Sequence, residues 1–345
     1  MNLNEDYKKL DPSGVEKALT LFPEQIKITF KQAINSNIPV LNFDSVIVSG
    51  MGGSSNAGKI IQGLLENNYD KPFFVYNDYN LPAWVDKNTL VIVNSYSGNT
   101  EESLSAITSA KKTGSQVVAI ATGGKIGEMV SSGEIYGVII NPEDTNPTGF
   151  PKSGLGVSLG GLIGALTKIG VLSFTEEDLN SALTELVEVR KTWDAKEIAQ
   201  WLHSSIPVLF SGRPFLGSLN AGRNAMCEIS RNFTEFYDFP EVNHVLVEAT
   251  QKPVSALSKK YLFFESKFIH ERVKLRFKIT KELFKEQGLI TMTYELKASS
   301  VLSQSLELAH FCAWLGFYIS ILDDSDPGPE PWIIKLKESL SQPVH

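Results

Sequence analysis

The chain has 345 residues, 42% of them hydrophobic, and a formal net charge of −7; it is too long for one small core and too well mixed for disorder, so two domains are expected. Charges of both signs are spread without long runs, which excludes the basic stripe that a nucleic-acid backbone requires. No run reaches the roughly 18 consecutive apolar residues of a membrane span. The first twelve residues are polar where a secretory leader is apolar, and Cys227 and Cys312 each sit in an apolar helical segment. The expectation is therefore a cytoplasmic protein with reduced thiols and no membrane partner.

A helix is expected near 23–36. Short β-branched runs follow at 45–49 (SVIVS), 73–76 (FFVY), 90–94 (LVIVN), 116–121 (QVVAIA) and 136–141 (YGVIIN), with helical patterns at 54–67, 100–113 and 154–170. Continuous apolar strands alternating with helices predict a parallel sheet covered on both faces. Ligands of such a doubly wound domain bind beyond the carboxyl ends of the strands. From 175 to 203 the spacing of Leu179, Leu183, Leu186, Val187 and Trp193 predicts one long amphipathic helix that opens a second domain. Strands at 206–211, 261–265 and 289–294 then alternate with helices near 216–231, 269–286 and 301–321. The fold class is α/β, two doubly wound, flavodoxin-like parallel-sheet domains in tandem, divided as 1–180 and 181–345. Residues 46–50 (VIVSG) and 56–59 (NAGK) are echoed by 208–212 (VLFSG) and 220–223 (NAGR). Either a duplication or the common grammar of strand, turn and helix accounts for this echo.

Two strand-to-helix turns are rich in anion-binding groups. Residues 50–55 (GMGGSS) put three glycines and two hydroxyls where a helix begins, so backbone N–H groups can approach an anion. A tight turn with a helix cap needs no ligand, and the third glycine of a dinucleotide loop is replaced here by Ser55. Residues 95–102 (SYSGNTEE) crowd three hydroxyls, a glycine and an asparagine into a second turn, and capping explains only one of them. Together the turns suit one phosphate, held by Gly52, Gly53, Ser54, Ser95, Ser97 and Thr100. Asp78 keeps a ribose contact, and so a nucleotide, open.

The strand–GMGGS and strand–SYSGNTEE turns resemble the sugar isomerase (SIS) domain, and nearly the whole chain resembles the bifunctional phosphoglucose/phosphomannose isomerases. The resemblance implies isomerisation of glucose 6-phosphate, with mannose 6-phosphate as a second candidate substrate, to fructose 6-phosphate through a cis-enediol. That chemistry needs ring opening, a base that carries a proton between C1 and C2, and stabilisation of the enediolate. No metal or cofactor is expected: the five histidines show no ligand spacing. The resemblance makes Glu228, in 224–230 (NAMCEIS), the base; taken alone, it reads as an exposed carboxylate or a partner of Arg223 or Arg231. It makes His244, in 240–244 (PEVNH), the ring-opening group and places it in the partner subunit's site, which implies a homodimer. By the same resemblance Lys337, following 326–329 (DPGP), matches the family's C-terminal lysine and would assist ring opening or balance the sugar's charge, with Lys335 its rival by register. Lys152, in 147–154 (PTGFPKSG), stands where the family has an arginine on the enediolate, keeping the charge and losing the two-pronged geometry.

Other readings are a SIS protein that binds a sugar phosphate without turning it over, a dinucleotide oxidoreductase, and an amino-sugar synthase. The last needs an N-terminal cysteine nucleophile, and no cysteine precedes Cys227.

Overall fold

The computed structural model describes residues 7–143, 145–250, 252 and 258–340. In the first half the order is α1 (Val15–Thr20), α2 (Phe22–Ile34), β1 (Ser45–Ser49), α3 (Gly52–Leu65), β2 (Phe73–Tyr76), β3 (Thr89–Ser95), α4 (Glu101–Thr113), β4 (Gln116–Ala121), α5 (Gly124–Ser131), β5 (Tyr136–Ile139) and α6 (Leu155–Ile169). The strands form one parallel sheet in the order β2-β1-β3-β4-β5, as the alternation predicts. Because side chains alternate across a strand, each run feeds two cores. Val46, Val48, Leu90, Ile92, Val118 and Ile120 face α2, α3 and α6, whereas Ile47, Val91, Val93, Val117 and Ala119 face the opposite layer with Ile107, Ala110 and Ile126. The close seat of α6 on α2 depends on absent side chains: a Cβ at Gly160 would lie 2.3 Å from the Ile26 carbonyl oxygen.

The second half continues with α7 (Glu176–Arg190), α8 (Ala195–Leu202), β6 (Ile206–Gly212), α9 (Leu216–Ser230), β7 (Glu235–Phe239), β8 (Lys259–Glu265), α10 (Glu271–Glu286), β9 (Ile290–Glu295), α11 (Val301–Leu322) and α12 (Pro331–Leu340). Its parallel sheet runs β7-β6-β8-β9, the same winding with one strand fewer. Aromatic rings fill its core: Phe210 stands 4.7 Å from Phe263 and 5.6 Å from Phe239 between centroids.

Besides the six-residue α1, which no sequence pattern announces, three elements differ from the expectation. The helix expected over 175–203 is two, α7 and α8, separated at 191–194. Leu179, Leu183 and Leu186 of α7 pack into the first core and Ile198, Ala199 and Leu202 of α8 into the second, so one straight stripe could not serve both. β7 was absent from the expected strands because Glu235 and Asp238 interrupt its apolar run, as an edge strand allows. α5, with Gly124 and Gly127, lacks the length and composition that announce a helix.

The halves meet along α3 and α9. Asn220 Nδ2 donates to Asn56 Oδ1 at 2.6 Å, joining the equivalent asparagines of the repeated segment. A Cβ at Gly217 would lie 2.1 Å from the Lys59 carbonyl oxygen, and one at Gly63 2.1 Å from that of Pro214. α11 touches both cores, giving Leu302, Leu306 and Ala309 to the first and Phe311, Leu315 and Phe317 to the second. It is long and apolar enough to cross a membrane, yet 89% of its most apolar window is buried inside the fold.

Candidate active site between the two halves

The β1–α3 turn opens the site. Gly50 has to be glycine, because a Cβ there would lie 2.6 Å from the Asn94 carbonyl oxygen. Gly52 has φ +50° and Met51 caps α3 without a side-chain hydrogen bond, so the first-turn N–H groups of Gly52 and Gly53 are left to a ligand or solvent. The β3–α4 turn is stitched to this one through Ser54, whose Oγ accepts from the Tyr96 N–H at 3.1 Å while its carbonyl accepts from Asn94 Nδ2 at 2.9 Å. Ser95 Oγ donates to Thr100 Oγ1 at 3.1 Å, Ser97 is exposed, and Thr100 caps α4 with no side-chain bond to the helix. The six residues expected to hold phosphate thus lie on two joined turns at one sheet edge, with Ser54 engaged internally.

A third turn, 150–154, closes over them. A Cβ on Gly53 would meet the Pro151 carbonyl oxygen at 3.9 Å, and one on Gly154 would lie 2.4 Å from the Tyr96 ring. Tyr96 is held in turn by Asn146, whose Nδ2 donates to its hydroxyl at 2.8 Å. This turn carries Lys152 across to the other half, where its Nζ donates to the Glu228 carbonyl oxygen at 3.1 Å and lies 3.7 Å from Glu330 Oε1. The Lys152 side chain is 1% exposed, and burial lowers its pKa against the pull of Glu330 and Glu228.

Glu228 occupies the last turn of α9. Burial first, then the like charge of Glu330, pushes its pKa up to about 7, opposed by Lys152, Arg223 and Lys337. A carboxyl group so poised exchanges a proton near neutral pH. Reading Glu228 as an exposed helix carboxylate does not fit this burial. Arg231 does not pair with it either. With φ +55° just beyond α9, Arg231 donates to the carbonyl oxygens of Pro329 at 2.9 Å and Asp326 at 2.7 Å, and to Ser325 Oγ. Gly328 N–H donates to Asp326 Oδ1 at 2.8 Å. The arginine thereby fixes the loop that presents Glu330.

Lys337 lies on exposed α12, and its charge reaches Glu228, whereas Lys335 stands 5.6 Å from the Trp332 ring centroid. His244 is not brought to this cluster. It is exposed at the end of the turn after β7, beside Asn243, which donates to Thr280 Oγ1 at 2.7 Å and accepts from Arg276 Nη1 at 3.3 Å. Sequence reasoning missed Glu330, Tyr96 and Asn146 as parts of the site. A charged residue directly after the 326–329 run was the available signal for Glu330.

Two parallel-sheet domains with a phosphate-type turn at the edge of the first define a double-SIS protein of the phosphosugar class. Residues 41–136 match the SIS domain family, and residues 191–340 match the bacterial phospho-glucose isomerase C-terminal SIS domain. Among solved structures, the C-terminal domain of glucosamine-fructose-6-phosphate aminotransferase from Francisella tularensis superposes with TM-score 0.70 at 15% identity, over 92% of this chain and 98% of that one. Tagatose-6-phosphate ketose/aldose isomerase from Escherichia coli gives 0.66 at 12%, over 94% and 96%. In sequence, the bifunctional phosphoglucose/phosphomannose isomerase of Aquifex aeolicus is 33% identical over 87% of this chain and 91% of its own. The protein of the same name from Caldicellulosiruptor bescii is 30% identical over 93% and 97%. The chain belongs to the bifunctional phosphoglucose/phosphomannose isomerase family.

Proposed function

We propose that the chain is a cytoplasmic isomerase that interconverts glucose 6-phosphate, and mannose 6-phosphate, with fructose 6-phosphate. The single observation that carries this reading is Glu228, a largely buried carboxyl group under the opposing charges of Lys152 and Glu330, with its pKa raised to about 7. In this reading residues 1–180 supply the phosphate site and residues 181–345 the base. The phosphate is held by the N–H groups of Gly52 and Gly53 and the hydroxyls of Ser95, Ser97 and Thr100, with Ser54 joining the two turns. Glu228 takes the proton from C2 and returns it to C1, while the Lys152 ammonium neutralises the oxygen charge of the enediolate. Lys337 and His244 serve ring opening, His244 from the other subunit of a homodimer. Supporting that assembly, α12 exposes Trp332 (75%), Ile334 (51%) and Leu336 (58%), and α10, which holds the His244 turn, exposes Leu275 and Ile279.

The test is a coupled assay of each aldose phosphate with the wild type and Glu228→Gln. Turnover of either substrate by the wild type and its loss in the variant are expected. A folded wild type that turns over neither, yet binds them, favours the second reading, a sugar-phosphate-binding protein; the observation behind that reading is a Lys152 ammonium already engaged by Glu228 and Glu330.

A further inference from the structure

Asn56 pairs with Asn220, its equivalent in the repeated segment, so α3 and α9 meet through corresponding positions. In the same alignment Lys59 corresponds to Arg223 and the β1–α3 turn to the β6–α9 turn. The candidate active site is built where the β1–α3 turn faces the C-terminal part of α9. Its counterpart, where the β6–α9 turn faces the C-terminal part of α3, is also a cleft, of about 500 Å³.

The walls of this second cleft carry an excess of positive charge in a chain whose net charge is −7. Lys59, Lys71 and Arg213 line it against one carboxylate, Glu66, which is already paired with Arg213. Lys71 is held at the margin by the Phe43 carbonyl oxygen at 2.7 Å. Lys59 is half-buried and has no hydrogen-bond or ion-pair partner among the described residues; burial and the neighbouring Arg223 both lower its pKa. Arg223 stacks 5.3 Å over the ring of Phe236, a wall residue, and its Nε is buried without a partner. Ser218, the counterpart of Ser54, is likewise buried with an unpartnered hydroxyl. Half-buried cations without a counter-ion are costly unless an anion joins them.

We infer that this cleft is a second, non-catalytic site for a phosphate monoester, held by Lys59 and Arg213 with the aromatic wall at Phe236 against its organic part. A phosphate group matches the charge and the paired donors that an arginine and a lysine offer. Arg223 packs on Phe236, a wall of this cleft, and its charge also acts on Glu228, which links the cleft to the catalytic base.

The experiment is calorimetric titration of the full chain with sorbitol 6-phosphate, which cannot isomerise, and separately with inorganic phosphate. Wild type, Lys59→Met and Arg213→Ser are compared; Arg213 is largely exposed, so its replacement leaves the fold intact. Two sites per chain are expected for sorbitol 6-phosphate, one of them weakened about tenfold or more in each variant. Binding of inorganic phosphate at the same site shows that the phosphate group suffices, and its absence shows that the ester body is needed. If the catalytic-site reading alone is wrong, a single site remains and Lys59→Met removes it. A single site that neither variant weakens, or two sites both indifferent to them, overturns the inference.

Discussion

Glu330→Gln tests the electrostatics of the site most directly. Glu330 stands 3.7 Å from the Lys152 ammonium and is one of the groups that raise the Glu228 pKa to about 7. At an effective dielectric of about 20, two unit charges at that separation attract by about 4 kcal/mol before desolvation is counted. The amide removes the repulsion on Glu228 and also releases Lys152 to act on it, and both changes favour the ionised base. Since about 1.4 kcal/mol corresponds to one pH unit, a quarter to a third of that interaction moves the base by about one unit. Activity requires ionised Glu228, so the acidic limb of kcat/KM is expected near pH 7 in the wild type and near pH 6 in Glu330→Gln. Initial rates at constant ionic strength between pH 5 and 9 measure it. An acidic limb that stays in place in an active variant would show that burial alone raises Glu228, and the two-carboxylate argument would be wrong.

Lys152→Met is expected to act in the opposite sense, moving the acidic limb to higher pH and lowering kcat by about 10²-fold, because Glu228 and Glu330 lose the cation between them; a limb that moves down refutes this. Glu228→Gln is expected to lower kcat by about 10²–10⁴-fold. It also has a stability consequence. A carboxyl group whose pKa is higher folded than unfolded stabilises the fold below its unfolded pKa and loses that stability as pH rises through the folded value. The rise from 4.5 to about 7 corresponds to about 3 kcal/mol, so the glutamine variant should gain up to that amount at pH 8 and nothing at pH 4. Thermal melts at both pH values check it, and an equal shift at each refutes it. Gly63→Ala, whose Cβ would lie 2.1 Å from the Pro214 carbonyl oxygen, should destabilise by about 2–4 kcal/mol in denaturant titration. Phe210→Ala, removing a fully buried ring, should cost about 3–5 kcal/mol by the same assay.

The β1, β3 and β4 strands were legible because they are buried on both faces and read as unbroken apolar runs. β7 was not, because an edge strand needs only part of its residues apolar. The break between α7 and α8 is illegible for a different reason: Leu186 and Trp193 continue a helical spacing, but Leu186 lies in the first core while Trp193 packs against both and Ile198 of α8 lies in the second, which no local pattern records. At the site, Gly52, Ser97 and Thr100 stood out by residue type at a strand-to-helix turn. Glu330 and Arg231 did not, since their importance lies in contacts with Lys152 and with the 325–329 loop, each far along the chain. The depth at which Glu228 lies is a property of the packed α9–α11 pair and of the 150–154 turn above it, and sequence spacing measures none of these.

α11 belongs to both cores, and it is translated after every strand of both sheets. A nascent chain that has finished its first domain still lacks Leu302, Leu306 and Ala309, so that domain leaves the ribosome with an open groove on the side where the second will dock. The helix that fills the groove is buried on nearly every side and presents no broad polar face to solvent. The two halves are therefore expected to mature together, and damage to either should surface as loss of the whole protein to aggregation rather than as release of one folded half.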